Sequence, residues 1–262
     1  MNLNRRQQEI LQRVRQTGFV SIDDLVAHFQ VTPQTVRRDL NMLCDLGLLR
    51  RFHGGAGVPS SVENIAYPTR QVLNLDEKRR IARLVARHIP DQSSLFINLG
   101  TTTEEVAKAL GDHAGLRVIT NNLNVATLLS DKPSFEVIIT GGVVRHRDRG
   151  VVGEATVDFI KQFKVDFGII GVSGIDADGT LLDFDYREVR VAQAIIANSR
   201  QVLLVTDHSK FDRRAMVRLG HLSEVNMLFT DCPPPKGMMA LLVEAGVQVY
   251  VADSDGGALL QS

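Results

Sequence analysis

The chain has no tryptophan, three tyrosines and only two cysteines among its 262 residues. Cys44 and Cys232 stand far apart, so no disulfide framework is implied, and no His/Cys/acid group has metal-site spacing. His28, His88 and His113 fall singly on expected helices or their ends, as packing or surface residues. No apolar run approaches the roughly 20 residues a membrane helix needs. The opening MNLNRRQQEILQRVRQ lacks the apolar block and small-residue cleavage site of a secretory leader. Walker A and GxGxxG strings are missing as well, so no nucleotide cofactor is expected. Net charge is also absent, with 30 basic and 30 acidic residues. These absences lead to the expectation of a cytoplasmic protein with no membrane partner, no cofactor and no metal. With 44% hydrophobic residues the chain can fill one large core, or a small and a medium one.

The charge that is present is uneven. Residues 1 to 56 carry eight arginines (Arg5, Arg6, Arg13, Arg15, Arg37, Arg38, Arg50, Arg51) against five acids, a net of +3. A basic head of this kind is weak evidence until position is considered, because solvated surface charge is commoner.

Position sharpens the reading. QEILQRV places Ile10, Leu11 and Val14 on one face of a first helix, which ends at Thr17-Gly18. Ser21 can cap a second helix, with Asp23 and Asp24 at its positive end. After Gln30-Val31, Thr32 suits an N-cap and Pro33 the first helical position. Three helices with a tight turn between the second and third spell a helix-turn-helix. At 100° per residue, Val36, Leu40 and Leu43 share the core side of the third helix, and Gln34, Arg38 and Asn41 fall opposite, flanked by Thr35 and Arg37. Such a face suits major-groove readout: arginine forks to guanine, and glutamine or asparagine pairs with adenine. The competing reading is an ordinary solvated face. The sequel LGLLRRFHGGAG suggests a hairpin wing turning at Gly54-Gly55, with Arg50, Arg51 and His53 set against phosphates or a minor groove. The expected DNA contacts are therefore Ser21, Thr32, Gln34, Thr35, Arg37, Arg38, Asn41, Arg50, Arg51 and His53.

Residues 58–75 carry prolines and serines with little periodicity and are expected to form a linker. From residue 76, where Asp76 is expected to cap a helix, strand-like runs (SLFINLG, LRVITN, FEVIITGG, VDFGIIGVSG, QVLLVTD, MLFTD and VQVYVA) alternate with helical ones. Strands this apolar belong to a parallel sheet covered on both faces, with a site beyond their carboxyl ends. Gathered there are Gly100, Thr101, Thr102 and Thr103 opening a helix, then Asn121 and Asn122, Gly141 and Gly142 with Arg145, Ser173, and Lys210. Free amides, hydroxyls and two cations suit a small phosphorylated polyol or sugar. Plain capping turns are the bland alternative for each element alone. The loop RHRDRG, residues 145 to 150, reads equally as a lid or as solvated surface. Residues 253–262 are expected to be a flexible tail.

The stretch VSIDDLVAHFQVTPQTVRRDLNMLCDLGLLRRFHGGA closely resembles the winged helix of DeoR-type bacterial repressors, and the likeness continues to about residue 250. NLGTTTEEVA, ITNNLNVA, GEATVDFI, DFGIIGVSGID, LLDFDYREVR and DHSKF narrow it to the members that govern glycerol and glycerol 3-phosphate metabolism. The resemblance implies an N-terminal winged helix-turn-helix (1–57), followed by a mostly parallel α/β sensor and oligomerisation domain (76–252) like the folds of ribose-5-phosphate isomerase and the CoA transferases. It implies operator double-stranded DNA as one partner and a small phosphorylated metabolite, glycerol 3-phosphate or similar, as another, in a homo-oligomer (dimer or tetramer). Arg149 departs from the glycine of the resembling members. A second reading is a sugar-phosphate isomerase-like enzyme with a DNA-binding appendage, using Lys210 with Glu154, Asp183 and Asp185, but fold analogy carries no chemistry.

Overall fold

Local capping chemistry sets the first three helices. In this computed structural model, which describes residues 3–46, 48–52, 54–57, 64–252 and 258–261, α1 (Arg5–Thr17) starts on a capping box between Asn4 and Gln7 and stops at Gly18, whose φ is +77°. Strand β1 (Phe19–Ser21) leads into α2 (Ile22–Phe29), where Ser21 accepts the Asp24 amide. Helix α3 (Pro33–Asp45) begins with Thr32 as N-cap and proline in its first turn. A hairpin of β2 (Arg50–Phe52) and β3 (Gly55–Gly57) follows, and β3 lies between β1 and β2 in a three-stranded antiparallel sheet. Gly54 turns the hairpin at φ +77°. Gly55 is tight against β1: a Cβ there would sit 2.1 Å from the Val20 carbonyl oxygen. Ile10, Val14, Leu25, Val36, Leu40, Leu43 and Leu49 form the core of this unit, which runs from Met1 to Asn74. Within residues 58–75, where a linker is expected, the structure has a short helix, α4 (Tyr67–Val72). Ile65 and Leu73 beside it cluster with Phe19 and Phe52.

The second unit, Leu75–Ser262, opens with α5 (Leu75–Ala86), one residue before the expected Asp76 cap. Then come β4 (Ser94–Ile97), α6 (Thr101–Ala109), β5 (Arg117–Thr120), α7 (Leu123–Ser130) and β6 (Glu136–Ile139). A small hairpin, β7 (Val143–Val144) with β8 (Val151–Val152), precedes α8 (Glu154–Ile160) and β9 (Val165–Ile170). Strands β10 (Gly174–Ile175), β11 (Thr180–Asp183) and β13 (Val217–His221) form a separate antiparallel sheet, around α9 (Tyr186–Ala197) and β12 (Ser199–Val205) in the chain. β14 (Met227–Thr230), α10 (Lys236–Glu244), β15 (Gln248–Val251) and β16 (Ala258–Gln261) complete the unit.

Seven strands, in the order β15-β14-β12-β9-β4-β5-β6, are parallel, and β16 adds antiparallel at one edge. The stretch 258–261 of the expected tail is thus a strand; residues 253–257 and 262 lie outside the described residues. Alternate strand residues enter different cores. Leu95, Ile97, Leu203 and Val205 join Ile81, Val106 and Val125 of α5, α6 and α7. Phe96, Val202 and Leu204 join Ile160, Val191 and Leu242 of α8, α9 and α10. Burial on both faces is why these strands read as continuous apolar runs. The chain runs outward from β4 to β6, then restarts on the other side of β4 with β9. That reversal is the topological switch point where open α/β sheets place ligands.

Candidate functional site

On α3, Val36, Leu40 and Leu43 are wholly buried, while Gln34, Arg37, Arg38 and Asn41 are exposed and Thr35 half-buried. The helix therefore turns its polar side outward near its N-terminus. Asp39 is the exception, pointing inward to accept from Arg6 Nε (2.5 Å) and Gln7 Nε2 (2.9 Å). Arg6 thus ties α1 to α3. Thr32 and Ser21 serve as caps, their Oγ atoms accepting from the Thr35 (3.3 Å) and Asp24 (3.0 Å) amides. On the wing, Arg50 and Arg51 are half-buried. Arg51 Nη1 is closed off from solvent, and its charge opposes the burial that pushes the Cys44 thiol up. His53 lies outside the described residues.

In the second unit the ends of β4, β9 and β12 converge. A Cβ on Gly171 would lie 3.8 Å from Thr103 Cγ2, 3.9 Å from the Val205 oxygen and 4.0 Å from the Leu99 oxygen. Gly168 and Gly174, by contrast, make room for Ser199 and the Arg213 backbone. Helix α6 begins at Gly100, with no side-chain cap on its first-turn amides. Thr101 and Thr102 sit in that turn, nearly buried. Around them are acceptors. Asn98 Oδ1, at the end of β4, and Asn121 Oδ1, at the end of β5, are sealed from solvent with no described hydrogen-bond partner. The Asn121 amide donates to the Val151 oxygen, which sets its orientation. Glu104 is buried too, accepting from the side-chain amides of Asn122 and Asn124 (both 3.0 Å).

Several of the expected effector contacts already have partners within the chain. Thr103 is wholly buried, its hydroxyl within 2.7 Å and 2.8 Å of the Asn98 and Gly100 oxygens, so it shapes the turn. Asn122 caps α7, accepting from the Asn124 and Val125 amides while its own amide serves Glu104. Ser173 donates to Asp183 (3.0 Å). Arg145 is not an open anion donor: it is buried, bidentate to Asp148 (3.1 and 2.6 Å), and bound to Asp185 (2.9 Å) and Glu188 (2.8 Å). These carboxylates outweigh burial and raise its pKa. The 145–150 loop is stitched to the β5 end, with Val151 donating to the Asn121 oxygen (2.7 Å) and Leu123 to the Arg149 oxygen (3.1 Å). Arg149 adopts φ +56°, a left-handed conformation that favours glycine. Gly141 and Gly142 are exposed, and the Gly141 oxygen accepts from Thr156 (2.7 Å).

Lys210 sits in a one-turn helix (His208–Lys210) after β12. Beside it is Asp207, wholly buried. Burial pushes its carboxyl up, but Lys210, Lys78 and donation from Ser209 outweigh it and hold the pKa at about 2. Lys78, on α5, is only 3% exposed. Both lysines therefore lie close enough to Asp207 to act on its charge. Sequence reasoning missed Lys78, Asn98 and Glu104. It also missed that His208, Asp231 and Cys232 come together, which corrects the expectation that no such group forms. Of the acids considered for catalysis, Asp185 is bound by Arg145, Arg147 and Arg187, and Glu154 pairs with Arg190 at the surface.

A winged helix with an exposed arginine face, and an α/β unit whose strand ends gather amides, lysines and unsatisfied acceptors, together define a ligand-responsive DNA-binding regulator. The chain matches the family profile "DeoR-like helix-turn-helix domain" over residues 6–62 and "DeoR C terminal sensor domain" over residues 73–232. It belongs to the DeoR family. It is 53% identical over 249 residues to the glycerol-3-phosphate regulon repressor of Escherichia coli (strain K12), covering 95% of this chain and 99% of that one. To the protein of the same name from Haemophilus influenzae it is 54% identical over 253 residues, 97% of this chain and 98% of that one. Among solved structures, ribose 5-phosphate isomerase A from Methanocaldococcus jannaschii aligns with a TM-score of 0.43 at 12% identity, covering 72% of this chain and 100% of that one. Among the described residues no helix is long and apolar enough to cross a membrane.

Proposed function

We propose that the chain represses genes of glycerol 3-phosphate metabolism, binding operator DNA through α3 and the wing and releasing it when glycerol 3-phosphate occupies the α6 end of the sheet. The relatives' shared name supports the pathway. The observation that carries the ligand is the pairing of two chemistries at one place. First-turn α6 amides that no side chain caps, with the cations Lys78 and Lys210 near Asp207, suit a phosphate. Asn98 Oδ1 and Asn121 Oδ1 need donors, and each such buried acceptor costs about 1–3 kcal/mol while unmade. A polyol supplies hydroxyls; inorganic phosphate at neutral pH supplies fewer donors and no carbon chain to span the site. The protein acts as a sensor rather than an isomerase, and as a homo-oligomer that presents two heads to two half-sites. Ligand and operator then weaken one another by the same factor.

Calorimetry on the full chain tests this. Glycerol 3-phosphate should bind more tightly than glycerol or inorganic phosphate, and ribose 5-phosphate should remain unconverted. Equal affinity for inorganic phosphate, or turnover of ribose 5-phosphate, would remove the reading.

A further inference from the structure

One cluster in the second unit is not used by the reading above, although His208 follows Asp207 and shares a one-turn helix with Lys210. β12 and β14 are neighbouring parallel strands, with Val205 opposite Phe229. Beyond their carboxyl ends stand His208 on one side and Asp231-Cys232 on the other. The imidazole, a carboxylate oxygen and the thiol sulfur all lie within 4.8 Å of one another. Asp231 is held firmly: its Oδ1 accepts the His208 backbone amide (2.7 Å), and its Oδ2 lies 2.5 Å from His208 Nδ1. All three residues are partly buried, so side-chain freedom is already restricted.

We propose that His208, Asp231 and Cys232 form a site for a divalent transition metal of the zinc class. One sulfur, one imidazole nitrogen and one carboxylate oxygen are the mixed donors that zinc accepts, whereas calcium and magnesium take oxygen sets. Tetrahedral zinc, with bonds of about 2.0–2.3 Å, holds its ligands about 3.5 Å apart. Donors within 4.8 Å reach that spacing by small side-chain rotations. Three protein ligands leave a fourth position for water. On binding, the thiol releases its proton to solvent and the thiolate bonds the metal, as does the imidazole nitrogen after losing any proton it carries there. The rival arrangement is a plain His208–Asp231 ion pair with Cys232 as packing. The sequence hides the site because its halves lie just beyond the ends of two strands, joined only by the fold.

The test uses the full chain, stripped with chelator and titrated with Co2+. One equivalent should bind, with tetrahedral d–d bands and a thiolate-to-cobalt charge-transfer absorption. Cys232→Ser should abolish the charge-transfer band and His208→Gln should weaken uptake at least tenfold, while Cys44→Ser should change neither. Circular dichroism checks the folding of each variant. Should a variant unfold, alkylation of the wild type decides: stoichiometric Zn2+ should protect Cys232, but not Cys44, from iodoacetamide. Absence of stoichiometric uptake, uptake without a charge-transfer band, a band that survives Cys232→Ser, or equal alkylation with and without Zn2+ would overturn the proposal.

Discussion

Arg38 and Leu40 stand two residues apart on α3 and face opposite ways, which makes them a paired test of the DNA-reading surface. Leu40 is wholly buried with Ile10, Val36 and Leu43. Leu40→Ala should cost about 2–5 kcal/mol of stability, through lost transfer energy and the cavity left behind. Arg38 is exposed, so Arg38→Ala should change folding stability by no more than about 0.5 kcal/mol. Its effect should fall on DNA. A bidentate arginine–guanine pair discriminates by about 1–3 kcal/mol, roughly 5- to 150-fold in affinity. Urea unfolding followed by circular dichroism gives the first quantity. Fluorescence anisotropy with operator and scrambled duplexes, at one fixed salt concentration, gives the second. The Arg38 variant should lose affinity for operator while holding its affinity for scrambled DNA nearly unchanged. If it unfolds as readily as the Leu40 variant, or binds operator as wild type does, α3 is wrongly oriented here.

Thr101→Val combined with Thr102→Val should leave operator binding intact and weaken the response to glycerol 3-phosphate, read as the concentration needed for half release; an unchanged midpoint would detach α6 from the ligand. Arg149→Gly should stabilise the protein by about 1 kcal/mol, because arginine at φ +56° carries left-handed strain, and a thermal melt would show it as a higher midpoint. Burial pushes the Asp185 carboxyl up, but donation from Arg187 and Arg145 outweighs it and holds the pKa well below the usual carboxylate range. A lowered folded pKa contributes stability above the unfolded value of about 3.9, lost as pH falls through that value towards the folded one. Asp185→Asn should therefore be less stable at neutral pH and show a flatter loss of melting temperature on acidification, and parallel pH profiles would contradict the ion network's role.

Much of the architecture was legible because its signals are local. Ser21, Thr32 and Pro33 announce helix starts by their own capping chemistry, and Gly18 announces a stop. The inner parallel strands, such as β4, β9 and β12, were legible because burial on both faces makes them continuous apolar runs. What was hidden depends on distant partners. In the antiparallel sheet of β10, β11 and β13, β11 pairs with residues about forty positions away in β13, and the strands are too short to carry a period. Arg145 reads as an exposed loop cation until Asp185 and Glu188 arrive from α9 to hold it. Lys78 had a usable signal: it falls at helical spacing from Ile81, Ala82 and Val85, on the buried stripe of α5. Its charge masked that position, because a lysine in DEKRR reads as solvated. Asn98 gave no such sign, since only the fold shows that its carboxamide oxygen goes unsatisfied.

The coupling between the two ligands is best measured by holding the full-length protein on fluorescently labelled upstream DNA of the glycerol genes and titrating glycerol 3-phosphate at constant ionic strength. Release should be saturable, with inorganic phosphate at matched ionic strength ineffective, and glycerol 3-phosphate affinity should fall by a matching factor when operator is present. A complex that stays bound while calorimetry shows the metabolite site filled would contradict this coupling.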